Sequence, residues 1–331
     1  MNFSGIKGHE KQRAFLNRLS RSESIPHAIL LSGQSGIGKR MIAERFIKSL
    51  YCTGEHKPCL ECSACRQIAA GSFPDYVLLN RDEKGKIPVG LRDKPADGTV
   101  RWLIEKMTRV PVSGRTAVLI DGVNTISDAG QNALLKTIEE PYSEAVIVML
   151  SEGRSGILPT ILSRCMDITF NPLADQDVTS ILISSGVRES TAELIAAMSG
   201  GSMDSALRLK DEKVMLGLLD FAESLTSAVK TGNSNRLFVT ESAGIDDDFL
   251  LTVLVNIYSY NLRVQAGIRD SILPEKVVPD AEDAGRIVKI LLAIRRGGSN
   301  NLNIKNMLKG MLYSYREIDA SLPVSTDFSW L

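Results

Sequence analysis

Gly33-Gln34-Ser35-Gly36-Ile37-Gly38-Lys39-Arg40 fits the phosphate-loop pattern G-x-x-x-x-G-K-[S/T] at Gly33, Gly38 and Lys39 and departs from it at Arg40. Glycines in such a loop let backbone N–H groups wrap a phosphate, the helix that follows favours negative charge at its N-terminus, and the lysine reaches the terminal phosphates. The departure removes the magnesium ligand. A Ser or Thr after the lysine gives a hydroxyl oxygen to Mg²⁺, whereas Arg40 is a cation with no lone pair to offer. The expectation is a degenerate loop, with Gly33, Gly36, Gly38 and Lys39 still shaped for phosphate, hydrolysis of ATP/Mg severely impaired and nucleotide binding in doubt.

A second chemical signal is Cys52, Cys59, Cys62 and Cys65, spaced C-x6-C-x2-C-x2-C. Four thiolates satisfy tetrahedral Zn²⁺, Pro58 supplies the turn, and in a reducing compartment such a cluster reads as a metal site rather than a disulfide set. A shell of four thiolates leaves no position for water or substrate, so the zinc is expected to be structural. His56 competes as a ligand only if a thiol is displaced, and is read as exposed. Cys165 stands alone.

Three further positions belong to the phosphate-loop argument. Asp121 ends an apolar run, Thr116–Asp121, where magnesium is held through water, but the neighbour that should polarise the attacking water is Gly122. Asp121 is therefore read as the remnant of a magnesium site. Ser151, at the end of another apolar run, stands where a sensor of the γ-phosphate belongs and is equally explicable as a strand-end serine. Arg164 closes a short helix, Leu158–Cys165, where a guanidinium is available to a neighbouring subunit; spacing alone makes it a surface residue.

The elements that must position these residues alternate between strand and helix. Ala28–Ser32, Phe73–Leu79, Thr116–Asp121, Ala145–Leu150 and Asp167–Phe170 read as strands, the first, third and fourth apolar enough for a buried parallel sheet. Helical periodicity covers Gly8–Leu19, the stretch after the phosphate loop, a helix capped by Thr99, and Ser127–Glu140, which Pro141 stops. Residues 81–98 are charged, rich in Gly and Pro, and read as a mobile loop. Beyond Asn171 the pattern is helical: Asp175–Ser184, Ser190–Ser199 and Ser202–Leu209, then Asp248–Ala266, Ala281–Arg295 and Leu302–Ile318. Leu250, Leu251, Leu254, Ile257 and Tyr258 make one apolar stripe and Met307, Leu308, Met311, Leu312 and Tyr315 another, both read as bundle core with part free to pack on sister subunits.

Assembled, these residues resemble the AAA+ clamp-loader subunits of bacterial DNA polymerase III. The resemblance rests on His27-Ala28, the cysteine cluster, Phe73-Pro74-Asp75, Asn132 to Pro141 and Ser163-Arg164-Cys165, and covers residues 1 to about 210. It implies an α/β AAA+ core over 1–170, with a five-stranded parallel sheet and a four-cysteine zinc knuckle at about 50–68. A small helical lid over 171–210 and an all-α oligomerisation collar over 211–331 complete the implied plan. It further implies that Arg164, with Ser163 and Cys165, is an arginine finger acting in trans on ATP of an adjacent subunit. The implied partners are gamma/tau and delta-like clamp-loader subunits in a hetero-oligomer, with the sliding clamp and primed DNA reached through the complex.

Within that family the ATP-hydrolysing gamma/tau type should keep a hydroxyl after the lysine, an Asp-Glu pair and a sensor arginine within 201–207. Arg40, Gly122 and Ser205 stand there instead. The losses point to a subunit that supplies an arginine without hydrolysing anything, although Arg208, one turn beyond Ser205, leaves a displaced sensor open.

Composition agrees. Lys plus Arg and Asp plus Glu are 39 each in 331 residues, so no net field draws the chain to nucleic acid or an anionic membrane. No apolar run approaches a membrane span and the first residues lack a leader pattern, so a cytoplasmic protein is expected. A zinc-dependent nucleic-acid-binding module is the remaining alternative, disfavoured by balanced charge and the lack of aromatics interleaved through Cys52–Cys65.

Overall fold

Strands that are apolar on both faces need cover on both faces, and the helices supply it. The structure, a computed structural model, describes residues 1–141, 144–231, 245–297, 308 and 310. Strands β1 (Ala28–Ser32), β2 (Tyr76–Leu79), β3 (Thr116–Asp121), β4 (Ala145–Ser151) and β5 (Met166–Thr169) form one sheet in the order β2-β3-β4-β1-β5. Every pairing is parallel, with Ser32 opposite Ser151 and Asp121 opposite Leu150.

Helices α1 (Glu10–Leu19), α2 (Lys39–Tyr51), α3 (Ser63–Ala69), α4 (Val100–Met107), α5 (Asp128–Glu139) and α6 (Pro159–Leu162) accompany the sheet. Leu30, Val118, Ile120, Ile147 and Met149 pack with Val100, Leu103 and Met107 of α4, Leu134 and Ile138 of α5 and Ile161 of α6. The alternate residues Ile29, Leu31, Leu119 and Val148 are just as buried, and α2 packs on β1, β3 and β4, burying Ile42, Phe46 and Ile47. From β1 the chain jumps to the far edge at β2, steps back through β3 and β4, and crosses to β5. The strand order reverses between β1 and β4, and the parallel strands deliver their carboxyl ends to one edge there, where open α/β sheets bind ligands.

Thr99 caps α4, its Oγ1 accepting from the Trp102 N–H at 3.3 Å. Helix α6 is shorter than the expected Leu158–Cys165, and β5 begins one residue early and ends before Phe170. The 81–98 stretch is pinned at its middle: Ile87 is buried and bridges to Ile126, while the Pro88 and Val89 carbonyls accept from Val100 and Arg101, each at 3.0 Å. Helix α3, inside the cysteine cluster, has no counterpart among the expected elements.

Two compact units divide the chain, Met1–Pro172 and Leu173–Leu331. The second holds α7 (Asp175–Ser184), α8 (Glu189–Ser199), α9 (Met203–Leu209), α10 (Glu212–Thr231), α11 (Asp247–Gln265) and α12 (Ala281–Gly297). Leu250, Leu251, Leu254, Ile257 and Tyr258 of α11 are buried, and α11 packs against α8, α10 and α12. The Tyr258 hydroxyl is matched inside this bundle by Thr226 Oγ1 at 2.9 Å and the Ala222 carbonyl at 2.8 Å. Of the expected helix 302–318, Met307, Met311, Leu312 and Tyr315 lie outside the described residues; Leu308 is described and buried. Among the described residues no helix is long and apolar enough to cross a membrane.

One buried amide sets the height of α6. Gln131, in the first turn of α5 and fully buried, donates through Nε2 to the Ile126 carbonyl at 2.9 Å and the Gly156 carbonyl at 2.7 Å, and accepts from the Leu158 N–H at 2.8 Å. Gln131→Leu keeps the volume but strands two carbonyls and an N–H, and should cost about 2–4 kcal/mol, read as a lowered thermal midpoint of the full chain. An unchanged midpoint would show that the bridge does not hold this turn.

Candidate functional site

The phosphate loop is built by a buried strand running into a buried helix. Gly33 sits at φ 149°, and a Cβ there would run into the Phe170 carbonyl oxygen; Gly36 and Gly38, at φ 74° and 91°, turn the chain into α2. Lys39 is 8% exposed, and its ammonium donates to the carbonyls of Gly33 at 2.6 Å and Gln34 at 2.5 Å. His9, which the sequence reading did not single out, braces the loop from the side: its Nε2 donates to the Ile37 carbonyl at 2.7 Å, and its ring meets Phe170 edge-on.

Gly33, Gly36, Gly38, Lys39 and Asp121 are brought to one sheet edge, and Arg40 joins them. Its Nη1 donates to Asp121 Oδ2 at 2.9 Å and Asn80 Oδ1 at 3.2 Å, and its Nε to Glu44 Oε1 at 3.2 Å. Burial opposes the charge, but the bond to Glu44 and the charges of Asp121 and Glu44 outweigh it and hold the guanidinium pKa above its ordinary value. The carboxylate expected to hold magnesium is thus bound to a cation of the chain itself. Beside it Gly122, at φ 104°, is overlain by Arg81, which pairs with Glu152 at 2.8 Å. Ser151 Oγ donates to the Gly153 carbonyl at 2.5 Å, so the hydroxyl serves its own turn.

The Sγ atoms of Cys52, Cys59, Cys62 and Cys65 all lie within 4.8 Å of one another. Zn–S bonds of about 2.3 Å would set tetrahedral sulfurs about 3.8 Å apart, so the cluster fits a metal ion of this kind. Backbone N–H groups already point at sulfur: Gly54 and Cys59 to Cys52 Sγ at 3.4 and 3.2 Å, Cys62 to Cys59 Sγ at 3.3 Å. Such bonds hold Cys59 below its usual pKa and bring Cys62 down to about 6, while burial pushes Cys65 up to about 12. Gly54 is required here, since a Cβ would stand 2.8 Å from Cys59 Cβ and 3.1 Å from its sulfur. His56 is exposed and is not among the clustered ligands.

Arg164 belongs to neither group. Its Nη1 donates to the Thr160 carbonyl at 3.0 Å and Ser163 Oγ at 3.1 Å, and its Nε pairs with Glu139 at the end of α5. Ser163 Oγ in turn donates to the Thr160 carbonyl at 3.0 Å. The Cys165 thiol is pushed up to about 11 by burial and the Asp167 charge.

A phosphate-loop sequence opening α2, a strand-end carboxylate beside it and parallel strands on either side define an α/β core of the phosphate-loop type, here with an arginine paired to that carboxylate. The family model described as DNA polymerase III, delta subunit, matches residues 8–174, half of the chain, and the chain belongs to that family. It is similar to DNA polymerase III subunit delta' of Pseudomonas aeruginosa, 34% identical over 208 residues, 61% of this chain and 61% of that protein. Subunit delta' of Bacillus subtilis is 29% identical over 210 residues, 63% and 59% of the two chains. Subunit tau of Escherichia coli is 32% identical over 285 residues, 77% of this chain and 43% of that protein. The matched stretch spans less than two thirds of each of these relatives. The five-stranded parallel sheet flanked by helices is the α/β core expected from the sequence.

Arg208, considered above as a displaced sensor, is turned onto α11. Its Nη2 pairs with Asp246 Oδ2 at 2.6 Å, its Cζ lies 3.6 Å from the Phe249 ring centroid, and Asp246 Oδ1 caps α11 by accepting from the Phe249 N–H at 2.9 Å. Ser205 lies in the first turn of the capped α9, its N–H donating to Ser202 Oγ at 3.4 Å. Burial works against the Asp246 carboxylate, yet the bonds from Phe249 N–H and Arg208 override it and lower its pKa. A depressed carboxylate pKa contributes stability above the unfolded value, about 3.9, and loses it as pH falls through the folded value. Arg208→Ala should cost about 1 kcal/mol at neutral pH, and the deficit in thermal midpoint should shrink as the pH drops below about 4. A deficit independent of pH would show that the pair is not formed.

Proposed function

We propose that this chain is a delta-prime-like, non-hydrolysing subunit of a DNA polymerase III clamp loader, supporting ATP-driven loading of the sliding clamp onto primed DNA. It works within a cytoplasmic hetero-oligomer of gamma/tau and delta-like subunits, where Arg164 of Ser163-Arg164-Cys165 reaches ATP held by a neighbour. In this reading 171–210 are the lid, 211–331 the oligomerisation collar, and Cys52, Cys59, Cys62 and Cys65 hold a structural zinc.

The reading is carried by the Arg40 guanidinium 2.9 Å from Asp121, which sets a fixed cation on the carboxylate that magnesium would need. Support for the finger comes from the place of Arg164: half exposed at the end of α6, its guanidinium rests on Thr160, Ser163 and Glu139 and would exchange the exposed Glu139 carboxylate for a neighbour's phosphate. An ATP-hydrolysing gamma/tau-like subunit is the second reading, kept in view by the similarity to tau. It requires Mg²⁺ beside Asp121.

The purified chain should show no turnover of Mg·ATP, and magnesium-dependent micromolar binding with turnover would favour the second reading. In the complex reconstituted with gamma/tau and delta-like subunits, Arg164→Ala should lower hydrolysis at the facing site by about 10³-fold; an unchanged clamp- and DNA-stimulated rate sinks the finger. Metal analysis should return about one zinc per chain, and less than about half an equivalent in reduced protein contradicts the site.

A further inference from the structure

Two arginines end on the tips of three neighbouring strands. Arg40, at the start of α2, joins Asn80, just past β2, to Asp121 at the end of β3. Arg81, the next residue after Asn80, crosses Gly122, just past β3, and pairs with Glu152, just past β4, at 2.8 Å. The crossing is close: a Cβ on Gly122 would fall onto Arg81 Nε, with Cζ at 3.0 Å and Nη2 at 3.1 Å. Strands β2, β3 and β4 are consecutive in the sheet, so the two side chains tie three adjacent tips and the start of α2 together.

These are the positions that a switch ATPase gives to Mg²⁺ and to the carboxylate that polarises water. Mg·ATP does not fit them. A metal ion would have to displace Arg40 from Asp121, and a glutamate at 122 would have to displace Arg81 and adopt a φ of 104°. Neither arginine lacks counter-charge, since Arg40 has Asp121 and Glu44 and Arg81 has Glu152.

We infer that Arg40 and Arg81 form a permanent internal lock, two guanidinium groups standing in for a metal ion and fixing the tips of β2, β3 and β4 whatever nucleotide is present. The inference rests on the non-hydrolysing reading and extends it: ATPase function is not merely missing parts but replaced by a structure that excludes them. In a working switch the γ-phosphate and its magnesium hold mobile segments and release them on hydrolysis. Here the ties are side chains of the chain itself, so hydrolysis of a nucleotide has nothing to release.

The full chain and its variants test this by thermal melting and by calorimetric titration with Mg·ATP. Arg40→Ala and Arg81→Ala should each lower the midpoint by a few degrees. In a Gly122→Ala background, where the Cβ has already pushed Arg81 aside, Arg81→Ala should cost much less than in the wild type. Additive costs overturn the lock. Arg40→Ser, which restores the hydroxyl, should still show no magnesium-dependent ATP binding at millimolar ligand; a gain of about tenfold or more over wild type overturns the lock while leaving the functional reading intact. Turnover by the wild type would instead sink the functional reading. Should Gly122→Ala fail to fold, hydrogen exchange of the wild-type amides at 79–81, 121–123 and 151–153 decides: protection must be the same with and without Mg·ATP, and a change overturns the lock.

Discussion

The ion pair between Arg40 and Asp121 governs what the sheet edge can do. A parallel sheet delivers all its carboxyl ends to one edge, so the loop after β1, the carboxylate of β3 and the turns after β2 and β4 meet there by topology alone. A half-exposed pair of this kind stabilises the fold by no more than about 1 kcal/mol. Its effect on a divalent ion is larger: two positive charges facing one at 4 Å repel by about 2 kcal/mol in water and about 8 kcal/mol at an effective dielectric of 20. The pair matters less for holding the core together than for deciding which cation Asp121 accepts.

Local patterns made much of this legible in the sequence. The glycines and Lys39, the thiols at fixed spacing and the unbroken apolar strands are signals confined to a few consecutive residues, and the loop, the cluster and β1, β3 and β4 appear where those signals stand. What escaped depends on partners distant in sequence. Arg40 read as a lost ligand; its choice of Asp121, 81 positions away, is a tertiary fact. Arg81 falls in a Gly- and Pro-rich loop, and nothing in the residues around Gln131 betrays the three backbone groups its amide meets. Helix α3, seven residues with Cys62 at its N-cap position, is too short to show a period of its own within the cysteine spacing.

The second unit repeats the lesson with opposite emphasis. Its stripe of Leu250, Leu251, Leu254, Ile257 and Tyr258 was readable from period alone and is buried. The joints between its helices were not. Asn256 reaches the Met198 carbonyl at 3.2 Å under Gly200, a glycine at φ 60° that leaves no room for a Cβ, and Arg208 clasps the start of α11. Helices α7–α9 accordingly share one unit with α10–α12.

Helix α5 holds the segment bearing Arg164 at two points. Gln131 in its first turn grips the turn that leads into α6, and Glu139 at its far end grips the guanidinium. Eight residues of helix, about 12 Å, separate the two grips. In mechanical terms α5 is a bar, the 156–164 segment a shorter one laid along it, and Gln131 and Glu139 are the pins. Two such pins resist sliding of α6 along α5 and leave rotation only about the line that joins them, so the place of that one charge is set by where α5 lies.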